Sequence, residues 1–240
     1  MIGTLYGHLG ALQLRAGDWN GQLLSNLLDL GHSLDARDLR GVTRAHVNLS
    51  VVYLNRGALG VARAHALEAA SIADRHGAWA LAQVAHNNLA LIACDERRYE
   101  DAEEHALRVT KDAATRELAE FAESWAVLAR VRAARGERSV DAALDAMDAA
   151  AEGPEAALCA RTRAVFQPSA RSALVAVLPS IDDPYERATT LLTLSLCSGD
   201  PEAIDRALSV LRRLGADPAL ERRRWSPRDH SRGPASASAP

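Results

Sequence analysis

One run of side chains is written twice, forty residues apart. Residues 46–67 read HVNLSVVYLNRGALGVARAHAL and residues 86–107 read HNNLALIACDERRYEDAEEHAL. His46 matches His86, Asn48 matches Asn88, Leu49 matches Leu89 and Ala62 matches Ala102, and both runs close on His-Ala-Leu at 65–67 and 105–107. A fixed period of this length means that one supersecondary unit is copied. Each copy buries its apolar face only against its neighbours.

Within the unit the apolar residues recur at helical spacing. Ala62, Ala66, Ala69, Ala70 and Ala73 form one stripe, and Ala102, Ala106, Val109 and Ala113 form the next. No sustained strand alternation appears. Glycines and prolines cut the chain into pieces of helical length. The pattern predicts an all-α chain with helices paired as hairpins: 2–16 with 19–30, 38–55 with 58–75, 79–95 with 99–113, 116–135 with 139–151, 155–166 with 169–178, and 185–198 with 201–214. Gly57 is placed at a left-handed helix C-terminus, since glycine alone takes positive φ without strain. Leu49 and Leu89 are expected to fill the space between units.

Aromatic residues make up only 4% of the 240, so such a core must be built from alanine, leucine and valine. Residues 1–220 are expected to form the helical repeat domain, with a net charge of about −6. Residues 221–240, ERRRWSPRDHSRGPASASAP, carry five arginines against two acids and end in small residues. They are expected to be a disordered basic tail.

Several functions find no residues to carry them. The overall charge of −3 argues against a generally basic nucleic-acid binder. Lys111, the single lysine, follows Thr110, so no phosphate-binding G-x-x-x-x-G-K-[ST] loop exists. No stretch reaches the ~18 apolar residues of a membrane helix, and the first twenty residues lack a basic leader. Cys94, Cys159 and Cys197 sit scattered in apolar runs, as reduced core thiols of a cytoplasmic protein would. His46 and His86, and likewise His65 and His105, recur one per unit. Stacked units should hold equivalent atoms about 10 Å apart, too far to share one metal. No metal or cofactor is expected. The acidic run at 100–104 reads as a solvated helix face, and Asp183 before Pro184 as a helix N-cap. Catalysis would need titratable groups from non-equivalent repeat positions to converge in one pocket, and no enzyme is expected.

The repeat resembles the tetratricopeptide motif, a large residue followed by Leu three on, a small residue next, and a later Ala-x-x-x-large. Trp125, Leu128 and Ala129 fit its first part, as do His46, Leu49, Ser50 and Tyr53, and then His86, Leu89 and Ala90. Gly57, Leu59 and Ala62 fit the turn into the second helix; Arg97, Tyr99 and Ala102 repeat it with the glycine lost, and Gly17 with Trp19 marks an earlier unit. The forty-residue period is similar to the kinesin-light-chain-like subclass. Residues 207–224 look like the end of the helical-repeat region in bacterial transcriptional activators of the LuxR and AfsR types, here without their ATPase and helix-turn-helix.

The resemblance implies a right-handed α-solenoid of about six helix hairpins. It also implies a non-catalytic protein-interaction scaffold, the sensing or interaction module of a bacterial transcriptional or signalling regulator. First helices would line a concave groove that holds a protein or peptide partner. Arg44, Asn48, Asn55, Asn87, Asn88 and Arg130 are the candidate groove residues. An asparagine amide there can hydrogen-bond a partner's backbone; Asn48 and Asn88 can equally bond a neighbouring helix of the array. The alternative ligand is a small-molecule effector, which a tight end-to-end curl and an apolar cavity would favour.

Overall fold

The computed structural model describes residues 2–116, 121–151 and 155–226, and its described residues contain helices and turns but no strand. The first six helices are α1 (Ile2–Arg15), α2 (Trp19–Asp35), α3 (Leu39–Asn55), α4 (Leu59–Arg75), α5 (Trp79–Asp95) and α6 (Tyr99–Arg116). From α2 to α6 a helix begins every twenty residues, so two helices make up the forty-residue period.

The turns explain the regularity. A left-handed residue closes each one: Gly17, Arg37, Gly57, Gly77 and Arg97 have φ of 75°, 52°, 75°, 65° and 61°. The amide after it reaches back five residues, as from Asp18 to the Gln13 carbonyl and from Arg98 to the Ala93 carbonyl. This is the Schellman arrangement, which satisfies the last carbonyls of the helix. The next helix starts at once, capped at α2 and α3 by Asp18 and Asp38, whose carboxylates accept from the Gly21 and Gly41 amides at 2.9 and 3.0 Å. Three-residue turns of one geometry fold each helix back on the one before.

Alanine sets the helix spacing. Ala62, Ala66, Ala69 and Ala73 of α4 and Ala102 and Ala106 of α6 are fully enclosed, which lets backbones approach closely. Leu49 and Leu89 are buried at equivalent places in α3 and α5. Besides packing sequentially, the odd-numbered helices α1, α3, α5 and α7 also touch one another. They therefore form an inner layer.

The pattern then loosens. The remaining helices are α7 (Ala122–Ala134), α8 (Val140–Ala150), α9 (Ala156–Phe166), α10 (Arg171–Val177, between two 3₁₀ turns), α11 (Pro184–Ser198), α12 (Pro201–Leu214) and α13 (Pro218–Trp225). The expected helix 116–135 is shorter at its start: α6 runs on to Arg116, and α7 begins at Ala122.

Two features go beyond the expected row of hairpins. First, part of the presumed tail is helix: α13 includes residues 221–225, and Glu221, Arg224 and Trp225 are buried. Arg224, read as solvated, is buried here because Asp95 and Glu221 pair with it, while Arg222 stays exposed. The rest of that segment, 227–240, lies outside the described residues. Second, the two ends of the described chain meet. Trp19 is buried with Ala188, Leu192, Leu211 and Trp225 in one apolar cluster, and its ring meets that of Tyr185 edge-on at 5.2 Å.

Candidate functional site

The inner layer curls around a cavity of about 310 Å³. Among the described residues its walls come from odd-numbered helices and from Glu155, just before α9. Leu54 and Asn55 of α3, Leu91 of α5, and Ala126 and Arg130 of α7 face Leu158 and Phe166 of α9. Tyr185 of α11 and Trp225 of α13 close the remaining side.

A buried ion network seats α13 against this wall. Asp95, at the end of α5, receives Arg224 and Arg130, at 3.5 Å for Arg130, while Arg223 donates to the Asp95 carbonyl at 3.0 Å. Arg224 also donates to Glu221 at 2.7 Å, and Glu221 accepts from the Tyr185 hydroxyl at 2.8 Å and from the Trp225 indole at 3.0 Å. Burial alone would push the Asp95 carboxyl up, but Arg224 and Arg130 outweigh it and hold it below its ordinary value. At the other end of α13 the Asp217 amide donates to the Asn55 carbonyl at 3.4 Å. Gly57 lies so close beneath that a Cβ there would fall 2.6 Å from an Asp217 carboxylate oxygen.

A second set of charges lines the cavity. Arg161 of α9, 2% exposed, holds Glu186 at 2.6 Å and Thr190 at 3.0 Å and lies over the Trp225 ring at 4.8 Å. Glu123, in the first turn of α7, faces Glu155. Burial is the main cause that raises its carboxyl to about 7, and Glu155 and Glu186 push the same way. One Glu123 carboxylate oxygen is enclosed and accepts no hydrogen bond among the described residues, and the Nε atoms of Arg130 and Arg161 are enclosed without an acceptor.

The six expected groove residues divide. Asn55 and Arg130 line the cavity. The other four tie helices together. Arg44 pairs with the fully buried Asp29 at 3.0 Å, and Asn48 donates to Asn26 at 3.4 Å. Asn87 accepts from Ser124 at 2.6 Å, and Asn88 donates to Ser50 at 2.8 Å.

Sequence reasoning missed Glu123, Glu155, Arg161, Tyr185, Arg224 and Trp225 because none is repeat-equivalent to another. One signal was present. Asp-Pro recurs at 183–184, 200–201 and 217–218, and each aspartate caps the helix that its proline begins. Reading the third as the first was read would have placed a helix start at Pro218.

The histidines also pair in a way that equivalence hid. His46 and His65, from the two helices of one hairpin, bring their Nδ1 atoms to 2.8 Å, and His86 and His105 do so at 3.1 Å in the next. Burial is the main cause that lowers all four from their ordinary value. Among the described residues no group of three or more His, Cys, Asp or Glu could hold a metal ion. Cys94, Cys159 and Cys197 are buried free thiols; burial pushes Cys159 up to about 12. Among the described residues no helix is long and apolar enough to cross a membrane.

No protein-family model, curated protein or solved structure matches this chain.

Proposed function

We propose that this chain is a non-catalytic regulatory binding module: a right-handed, tetratricopeptide-like α-solenoid of about six hairpins, curled on itself, that takes a small-molecule effector in its central cavity. The observation that carries this reading is the cavity itself. It is walled by the inner helices, with Tyr185 of α11 and Trp225 of α13 on one side, and Trp225 is backed by the apolar cluster of Trp19, Leu192 and Leu211. Its volume lies at the lower end of the ~300–1,000 Å³ of small-molecule sites, and its lining is mostly apolar with a few convergent charges. An extended peptide fits less well. Four of the six expected groove residues are consumed in helix–helix bonds, and α13 occupies part of the inner face. Titratable groups from non-equivalent positions do converge, the condition set for catalysis. Binding is preferred because the three arginines are tied into the ion pairs that hold the wall. A role in bacterial transcription or signalling, in the cytoplasm, rests on the family resemblance alone.

The test is a thermal-shift screen of small metabolites against the full chain and a Leu158→Trp variant, whose indole fills the cavity. A compound that raises the melting temperature of the parent and not of the variant supports the reading. Hits that stabilise both equally, or no hit at all, count against it.

A protein partner remains a second reading, favoured by exposed leucines. Leu5, Leu9 and Leu12 form a stripe on α1, and Leu24, Leu27 and Leu28 one on α2. A partner that is captured by the parent and lost on Leu5/Leu9/Leu12→Ser would locate this interface; one retained by that variant would exclude it. Alanine at Arg44, Asn87 and Arg130 is the poorer control, since it cuts three bonds between helices.

A further inference from the structure

Helix α2 is built inside out. Its buried side carries Gln22, Ser25, Asn26, Asp29 and Ser33, and its exposed side carries Leu24, Leu27, Leu28 and Leu34. Bonds between helices hold the polar side in: Ser25 donates to Gln13 at 2.7 Å, Arg44 pairs with Asp29 at 3.0 Å and Asn48 donates to Asn26 at 3.4 Å. Burying polar groups while turning leucines to water is unfavourable on both counts unless something covers the leucines.

The same contacts show which leucines share a surface. Ser25 and Asp29 face α1, through Gln13 and Gly7, and α3 reaches this hairpin from one side through Arg44 and Asn48. Round the helices on the side away from α3, the next side chains are Leu28 and Leu24 on α2 and Leu9, Leu5 and Leu12 on α1. The antiparallel pairing of Gln13 with Ser25 and of Gly7 with Asp29 sets Leu12 level with Leu24 and Leu9 level with Leu28. Leu5, Leu12 and Leu24 are 66%, 64% and 60% exposed. Histidines apart, the only charged side chains of the two helices are Arg15 and Asp35 at their ends and the buried Asp29.

We infer that this face binds a second copy of the chain, hairpin on hairpin about a two-fold axis, as a four-helix bundle with a leucine core. The inference rests on the protein-partner reading of these leucines and not on the cavity. The area suffices: the five leucines expose about 500 Å² per copy, and two faces supply the ~1,000 Å² that a specific interface needs. A face without charges selects a like apolar surface over nucleic acid or a charged peptide. The chain's own segment 227–240, PRDHSRGPASASAP, has no large apolar side chain with which to cover it. A terminal unit of a helical array stays single when its outer face is polar. Helix α12, towards the other end, meets that condition by turning Glu202, Asp205, Arg206, Arg212 and Arg213 to solvent, and α1 with α2 does not.

The experiment is sedimentation velocity of the full chain from about 1 to about 200 µM. Leu5/Leu9/Leu12→Ser and Leu24/Leu28→Ser test the face from its two helices, and Leu67→Ser, at an exposed leucine of α4, is the control. The parent should pass from monomer to dimer with rising concentration and stop at twice the chain mass. Each face variant should keep the parent's far-UV spectrum and weaken dimerisation at least about a hundredfold, while the control leaves it unchanged. A parent monomeric throughout, a mass that grows past the dimer, a dimer that survives either face variant, or a control weakened as much as they are overturns the inference. A monomeric parent that binds a different protein, lost on Leu5/Leu9/Leu12→Ser, sinks self-association and leaves the protein-partner reading standing.

Discussion

Arg97 and Arg37 stand where the other turns place glycine. Both adopt φ above +50°, a region that costs a side chain with a Cβ about 1 kcal/mol. Both are exposed, so their side chains give little back. Arg97→Gly should therefore stabilise the protein by about 0.5–1 kcal/mol in a urea melt; a loss of stability would mean that the arginine side chain matters more than its backbone. Gly57 and Gly136 allow the opposite comparison. Both have φ above +70°, but a Cβ at Gly136 meets nothing, whereas one at Gly57 strikes Asp217 of the C-terminal segment. Gly57→Ala should cost at least about 1 kcal/mol more than Gly136→Ala, the overpacking added to the shared strain; equal costs would remove Asp217 from that turn.

The histidine pairs make a third prediction at this scale. Their values are lowered on folding, so their contribution is complete above about 6.5, the unfolded value, and is lost as pH falls through it toward the folded values. Glu123 works the other way: raised from 4.5 to about 7, it favours the folded state at low pH and loses that contribution as pH rises through 7. Between pH 7 and 5.5 the melting temperature of His46→Gln/His65→Gln should fall less than that of the parent, and that of Glu123→Gln should fall more. Parallel slopes for all three proteins would refute both assignments.

Among the elements, α3 to α6 were legible because their signal is redundant: the same sockets, Leu49 and Leu89, Ala62 and Ala102, appear twice and are buried in both copies. Leu89→Ala should cost about 2–5 kcal/mol, since Leu89 is 2% exposed among Val47, Ala62 and Ala85 of a close-packed cluster. A loss under about 1 kcal/mol in a denaturant melt would mean that the site collapses freely. Even the missing glycine was readable, because Arg97 sits at the register where Gly57 sat one unit earlier. Helix α13 was not legible. Arg222, Arg223 and Arg224 read as a solvated run, and nothing local says that Asp95, 129 residues away from Arg224, will neutralise one of them. The cavity was hidden for the same reason: Glu123, Arg161, Tyr185 and Trp225 come together only once the curl exists, and no spacing encodes that.

For the whole molecule, closure is the consequential property. An array that stayed open would leave Trp19, Asp95 and Arg224 far apart and would have a groove and no cavity. Here the last described helix, α13, lies against the inner layer, and Asp95, Arg224, Glu221 and Tyr185 form one buried network. Arg224→Ala should be far more costly than Arg108→Ala, about 3–5 kcal/mol for a buried pair broken from one side against about 1 for the half-exposed pair with Asp74.

The most direct test of closure is a double-mutant cycle on Asp95→Ala and Arg224→Ala by urea denaturation. If α13 lies on the inner face, the two changes remove one shared interaction, and the double variant should lose about 2 kcal/mol less than the sum of the singles. Losses that add to within about 0.5 kcal/mol would mean that the two residues do not meet, and the closed curl and its cavity would fall together.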